Sequence, residues 1–178
     1  ALALVIGKRV GWKRDPMRPH NLPAVLLGAG LLWFGWIGFN AGSALGANEL
    51  ASLALINTVA AGAAAMLGWL AVEVLRDGKG TSFGAASGVV AGLVAITPSC
   101  GSVSPMGALV VGTVAGAICA FAIGLKFRLG YDDSLDVVGV HMVGGIIGTL
   151  LIGLLASNTA IELLGFGQAG LFYGGGLD

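Results

Sequence analysis

Leu50-Ala-Ser-Leu-Ala-Leu-Ile-Asn-Thr-Val-Ala-Ala-Gly-Ala-Ala-Ala-Met-Leu-Gly-Trp-Leu-Ala-Val72 is 23 residues long and carries no charge. At 1.5 Å per residue it makes a helix of about 34 Å, enough to cross the hydrocarbon core of a bilayer. The pattern repeats on both sides of it. Leu22 to Phe39 is uncharged, and so are Thr81 to Ile96, which is shorter and crowded with small residues, Pro105 to Leu125 and Val137 to Ala156. The whole chain is 56% hydrophobic and 10% charged with mean hydropathy +0.92, too little polar surface to face water all round. We therefore expect an all-α polytopic membrane protein of five transmembrane helices, with Ala1–Ile6 the end of a preceding one. The chain starts inside an apolar run with no basic leader and ends at Gly174-Gly-Gly-Leu-Asp178. Residues 1–178 are thus expected to be a single transmembrane domain fragment of a longer protein.

The charges test this division. If each run crosses once, Lys8, Arg9, Lys13, Arg14 and Arg18, then Arg76 and Lys79, then Lys126 and Arg128 share one side, and these are all nine Lys and Arg residues. Asn40 to Glu49, Thr97 to Ser104 and everything after Ala156 hold none. Basic loops stay cytoplasmic, which puts that side inside a cell membrane. Omitting the short Thr81–Ile96 run would scatter the basic residues over both faces. Glycine recurs at every fourth position as Gly84, Gly88 and Gly92, as Gly112 and Gly116, and as Gly144 and Gly148. Such strips let helix backbones approach closely, and ordinary bundle packing is their simplest reading. Pro98 and Pro105 bracket an outer turn, where they can end one helix and start the next.

Other classes find no support. A net charge of zero and a pI near 7 give no argument for nucleic acid as a partner. Cys100 and Cys119 are too few for a disulfide framework, and no metal spacing occurs, so neither metal nor cofactor is expected. Paired carboxylates and nucleophile–base spacings are lacking, which disfavours an enzyme.

His141, in Asp136-Val-Val-Gly-Val-His141-Met-Val-Gly-Gly145, is the one titratable ring inside an apolar run. An ionisable residue there is a functional candidate by default, and imidazole titrates near neutral pH. Its alternative is a structural hydrogen bond across a helix interface. Asp136 lies five residues earlier, about 140° around an α-helix, which argues against an acid–base dyad. Gly144, Gly145 and Gly148 share the face of His141 and leave room beside its ring. Trp36, Phe39 and Ser43 form one stripe; two rings and a hydroxyl can draw a small cation, while Trp also belongs to the interfacial aromatic belt. Asn57 reads more simply as an interhelical hydrogen-bonder than as a pore amide. Glu49 and Asp15 suit span ends, Asp132, Asp133 and Ser134 suit a helix start, and His20 suits a solvated loop.

Taken in order, Pro19-His-Asn-Leu-Pro23, Gly35-Trp-Ile-Gly-Phe-Asn-Ala-Gly-Ser43, Asn48-Glu-Leu, Asn57-Thr-Val, Thr97-Pro-Ser-Cys-Gly101 and Asp136-Val-Val-Gly-Val-His141 resemble the ammonium transporter family of the Amt, Mep and Rhesus type, and more closely its bacterial Amt branch. The resemblance covers most of Gly7 to Ala156. It implies the second five-helix half of an inverted-repeat, eleven-helix transporter that assembles as a homotrimer. It further implies that His141 is one of two paired pore histidines, Phe39 a gate ring, Ser43 the hydroxyl of an outer ammonium-recruitment site and Trp36 a pore-wall residue. A PII-type regulatory protein on the cytoplasmic face is an implied partner. The partner histidine, the second gate ring and the recruitment tryptophan would belong to the other half. The competing expectation is a non-conducting helical bundle in which His141 only bonds across an interface.

Overall fold

The structure, a computed structural model, describes residues 5–15 and 17–176. Of the expected helix end Ala1–Ile6, residues 1–4 lie outside the described residues, and Val5 and Ile6 are helical. Residues 177 and 178 of the closing stretch also lie outside them. The first three long helices are α1 (Leu22–Gly42), α2 (Glu49–Asp77) and α3 (Ser82–Ile96). Then come α4 (Pro105–Ala122), the short α5 (Leu125–Leu129), a π-helical turn at Val137–Met142 that leads into α6 (Val143–Leu155), and α7 (Asn158–Leu164). The expected spans are all present. Their starts are set by side-chain caps: Asn21, Asn48, Thr81, Ser104 and Ser157 each accept from a backbone N–H in the first turn of the helix they open. Each such cap contributes about 1 kcal/mol. Pro105 follows Ser104 as the first residue of α4, where a missing N–H costs nothing.

Leu22–Gly42, Glu49–Asp77, Pro105–Leu129 and Val137–Leu155 are each long and apolar enough to cross a membrane. α3 is shorter: its 15 residues reach only about 22 Å. It is walled in by α1, α2, α4 and α6, so protein rather than lipid faces much of it. That is how a helix shorter than the bilayer core can still be accommodated.

The glycine strips explain how five apolar helices interlock without a hydrophobic drive between them. α2 is the hub. Gly92 of α3 and Gly112 of α4 both press on the Ala61 carbonyl, and Gly116 of α4 presses on that of Ala65. A Cβ at Gly92 would stand 2.5 Å from the Ala61 oxygen. Gly148 of α6 seats in the same way on Ala95 of α3. Gly84 serves a different end, because the space of its absent side chain holds the Glu73 carboxylate. Glu73, at 9% exposure, accepts from Trp69 Nε1 at 3.1 Å, from the Thr81 N–H at 2.7 Å and from Thr81 Oγ1 at 3.1 Å. A buried carboxylate needs such donors, and these also lock the α2–α3 turn. At the opposite end of α2, the fully buried Asn57 donates from Nδ2 to the carbonyls of Cys100 and Val103, both at 2.8 Å. Asn57 therefore has the structural role that its sequence context suggested, but it clamps α2 to the turn between α3 and α4 rather than to another helix. The cysteines are free.

Candidate functional site

α1 is apolar on every side: Asn40 is its one buried residue, and Leu27, Leu31, Phe34 and Phe39 are exposed. Three contacts pin one edge of it to the bundle. Trp33 lies over Gly62 of α2, Asn40 Nδ2 donates to Thr58 Oγ1 at 3.0 Å, and Trp36 Nε1 donates to Thr97 Oγ1 at 2.7 Å. Between these pins and the π turn runs a cleft of about 460 Å³. Val25, Gly28, Leu32 and Trp36 of α1 form one wall. Phe83, Ala86 and Val90 of α3, with Asp136, Val140 and His141, form the other. Along α1, Val25 to Trp36 covers about 16 Å, so the cleft is elongated along the helix axis.

The π turn decides what that second wall presents. Asp133 caps it twice, accepting from the Val137 N–H at 3.0 Å and the Val138 N–H at 2.6 Å. Asp136 enters it in the left-handed region, with φ +56°, a conformation that costs a non-glycine residue about 1 kcal/mol. Gly139 lets the turn rest on the backbone of Ile123, where a Cβ would stand 2.9 Å from the Ile123 N and Cα. The Val143 N–H reaches back to the Val138 carbonyl, five residues away. In such a turn residues five apart come near one face. Asp136 and His141 thus both line the cleft, where α-helical spacing had separated them.

The two still form no dyad. Asp136 Oδ1 takes the Lys126 ammonium at 2.5 Å, and among the described residues His141 has no hydrogen-bond partner and is exposed. Burial pushes the Asp136 carboxyl above the usual carboxylate range, and the Lys126 ammonium only partly offsets that. The glycines near His141 divide as well. Gly144 and Gly148 face Ala91 and Ala95 of α3, whereas Gly145 has nothing within 4 Å. Only Gly145 leaves open space, so the expectation that all three give room to the ring is corrected.

The Trp36, Phe39 and Ser43 stripe is continuous but opens to three separate hollows. Trp36 and Phe39 meet edge to face, with ring centroids 6.1 Å apart and an interplanar angle of 83°. Phe39, 61% exposed, looks with Trp36 into a hollow along the outer side of α1. Ser43 Oγ donates to the Phe39 carbonyl at 2.5 Å and borders a third hollow with Asn40, Pro98 and Phe166. Of the three stripe residues, Trp36 is the one shared between the His141 cleft and the Phe39 hollow, which also have Gly28 and Leu32 in common. Thr97, which anchors Trp36, and Lys126, which holds Asp136, were not singled out by sequence reasoning. Thr97 stood in the quoted Thr-Pro-Ser-Cys-Gly stretch, and Lys126 counted only as one basic residue among nine.

The model of the Ammonium Transporter Family matches residues 1–177 of this chain. The chain belongs to that family. An ammonium transporter of Mycobacterium tuberculosis is 64% identical over 177 residues, covering 98% of this chain and 37% of that protein. One of Aquifex aeolicus is 49% identical over 173 residues, covering 97% of this chain and 39% of that protein. Among solved structures, the crystal structure of a mutant of Candida albicans Mep2 superposes with a TM-score of 0.87 at 35% identity, covering 97% of this chain and 40% of that one. This ammonium transporter family chain therefore spans well under half the length of the curated relatives it matches.

Proposed function

We propose that the chain is the second five-helix half of a transporter that carries ammonium or ammonia across the plasma membrane, with its Lys- and Arg-rich loops cytoplasmic. The observation that carries this reading is the apolar cleft in which Trp36 and the unpartnered ring of His141 share one elongated space. His141 serves there as a pore imidazole that accepts and passes a proton, paired with a histidine of the other half. Phe39 is a gate ring, Trp36 the wall between gate and cleft, and Ser43 the outer hydroxyl that recruits ammonium. The apolar α1, with a single buried residue, offers its remaining faces to the other half, to lipid and to neighbouring subunits of a homotrimer. Resemblance to other members of the family supports a PII-type regulator as a partner on the cytoplasmic face.

The physical logic runs through desolvation. A bare ammonium ion loses several kcal/mol of hydration in an apolar passage. Loss of a proton at the mouth leaves neutral ammonia, which the cleft tolerates, and potassium has no proton to lose. The competing reading, a non-conducting bundle with a structural His141, needs a hydrogen-bond partner for that ring from outside the described residues, and a His141 variant separates the two readings. In the full-length protein, His141→Ala is expected to abolish ammonium-evoked current. Unchanged current in a correctly assembled variant refutes the relay.

A further inference from the structure

Beyond the cleft that holds His141 lies a second hollow of about 330 Å³, lined by Arg9, Lys13, Arg14, Lys126, Asp15 and Asp136. Phe83, Ser134 and Asp136 border both spaces, so Asp136 stands at their junction. On the orientation proposed above, this junction is the inner mouth. Its carboxylate is not free. Lys126 Nζ sits 2.5 Å from Asp136 Oδ1 and also donates to the Asp133 carbonyl at 3.2 Å. The side chains of Lys126 and Asp136 are only 13% and 19% exposed. The neighbouring cations are held by other partners: Arg9 by Asp132 at 3.5 Å, Arg14 by Asp15 at 3.1 Å, and Lys13 by the Phe127 carbonyl at 2.8 Å.

We propose that Lys126 is a specificity-determining residue of the inner mouth: its ammonium group masks the carboxylate of Asp136, so that a cytoplasmic cation finds no counter-charge at the end of the His141 cleft. The inference rests on the transport reading and deepens it. An unmasked, largely buried carboxylate attracts any small cation strongly, because its field is poorly screened there. Potassium, the commonest such ion, would then lodge at the exit and obstruct it. With Lys126 in place the pair is neutral, the remaining charged lining of Arg9, Lys13, Arg14 and Asp15 has a cationic excess, and an uncharged molecule passes without penalty. A purely structural staple between α5 and the π turn would give the same contacts but no dependence on the ion outside.

The test uses the full-length transporter in inside-out membrane vesicles, with ammonium flux measured in potassium and in choline at the exposed cytoplasmic face. Wild type is expected to carry the same flux in both. In Lys126→Gln, potassium should lower the flux about threefold or more, the size of a partly screened charge interaction. Adding Asp136→Asn should remove that inhibition. Equal flux of Lys126→Gln in potassium and choline overturns the proposal, as does inhibition that persists in the double variant. If Lys126→Gln does not assemble, Lys126→Met, which keeps the apolar stem without the charge, takes its place: inhibition by potassium is expected, and equal flux in potassium and choline overturns the masking role. Wild-type vesicles without ammonium flux would refute the transport reading itself, a distinguishable failure.

Discussion

Gly148 and Gly145 sit one turn apart on α6, and the structure gives them opposite burdens. A methyl group at Gly148 would overlap the Ala95 carbonyl oxygen and stand 2.7 Å from its carbon and 2.9 Å from its Cα, where ordinary contact begins at 3.4 Å. Those are backbone atoms of α3, and α3 is itself seated on α2 through Gly88 and Gly92. It cannot retreat by the roughly 1 Å or more required, and overpacking of this kind costs about 1–3 kcal/mol. Gly145→Ala meets nothing within 4 Å, and alanine in place of glycine favours a helix interior by about 1 kcal/mol. We expect Gly148→Ala to lower the thermal unfolding midpoint of the purified full-length protein and Gly145→Ala to leave it level or raise it. The gap between the two variants should be about 1–3 kcal/mol, the overpacking cost alone, because the propensity gain is common to both and cancels. Because Gly145 lies four residues after His141, its variant should show any defect in flux rather than in stability. Equal destabilisation by the two substitutions would refute the assignment of Gly148 to the α3 contact.

Three further outcomes follow from named contacts. Asn57→Ala strips the Cys100 and Val103 carbonyls of a shared donor inside the bundle; a loss of about 2–4 kcal/mol is expected, with Asn57→Asp no better, and an unchanged unfolding curve for Asn57→Ala would rule the clamp out. Glu73→Gln replaces one of two accepting oxygens by a donor among Trp69 Nε1, Thr81 N–H and Thr81 Oγ1; stability should fall by about 1–3 kcal/mol and the Trp69 fluorescence should shift, whereas an invariant spectrum would show that the indole bond is not formed. Ser43→Ala should weaken ammonium capture at low concentration several-fold with the maximal rate preserved, and an unaltered concentration dependence counts against a recruitment hydroxyl there.

Helix positions were legible because the bilayer imposes a length and a polarity on each run; the structure adds that Asn21, Asn48, Thr81 and Ser104 fix the starts as capping side chains. The end of α2 was less so. The uncharged run stops at Val72, yet the helix continues to Asp77, because Trp69 and Thr81 satisfy Glu73 and let a carboxylate be buried. Nothing local to Glu73 announces a donor eight residues ahead on the next helix. The strips of glycine were recognisable as packing surfaces, but spacing alone cannot say which helix each strip meets. Gly92, Gly112 and Gly116 converge on two neighbouring carbonyls of α2, and only the assembled bundle shows that convergence.

The His141 neighbourhood shows the limit most clearly. A reading at 3.6 residues per turn separates Asp136 from His141 and groups three glycines beside the ring. The structure keeps the two from forming a dyad but brings both to the lining of one cleft, and it divides the glycines by which of them α3 packs against. The π turn requires Asp133 to cap two amides at once, a left-handed Asp136, and a Gly139 narrow enough to rest on Ile123. Each feature alone is common. Together they shape the entry to the helix, where the carboxylate of Asp136 lines the cleft that also holds the imidazole. The carboxylate then needs an answer to its charge, and Lys126 provides it from α5, outside the run that contains His141. A histidine can therefore be found in the sequence as a lone polar ring, but whether an acid stands with it, and whether that acid is masked, depends on a backbone register that hydrophobic pattern does not encode.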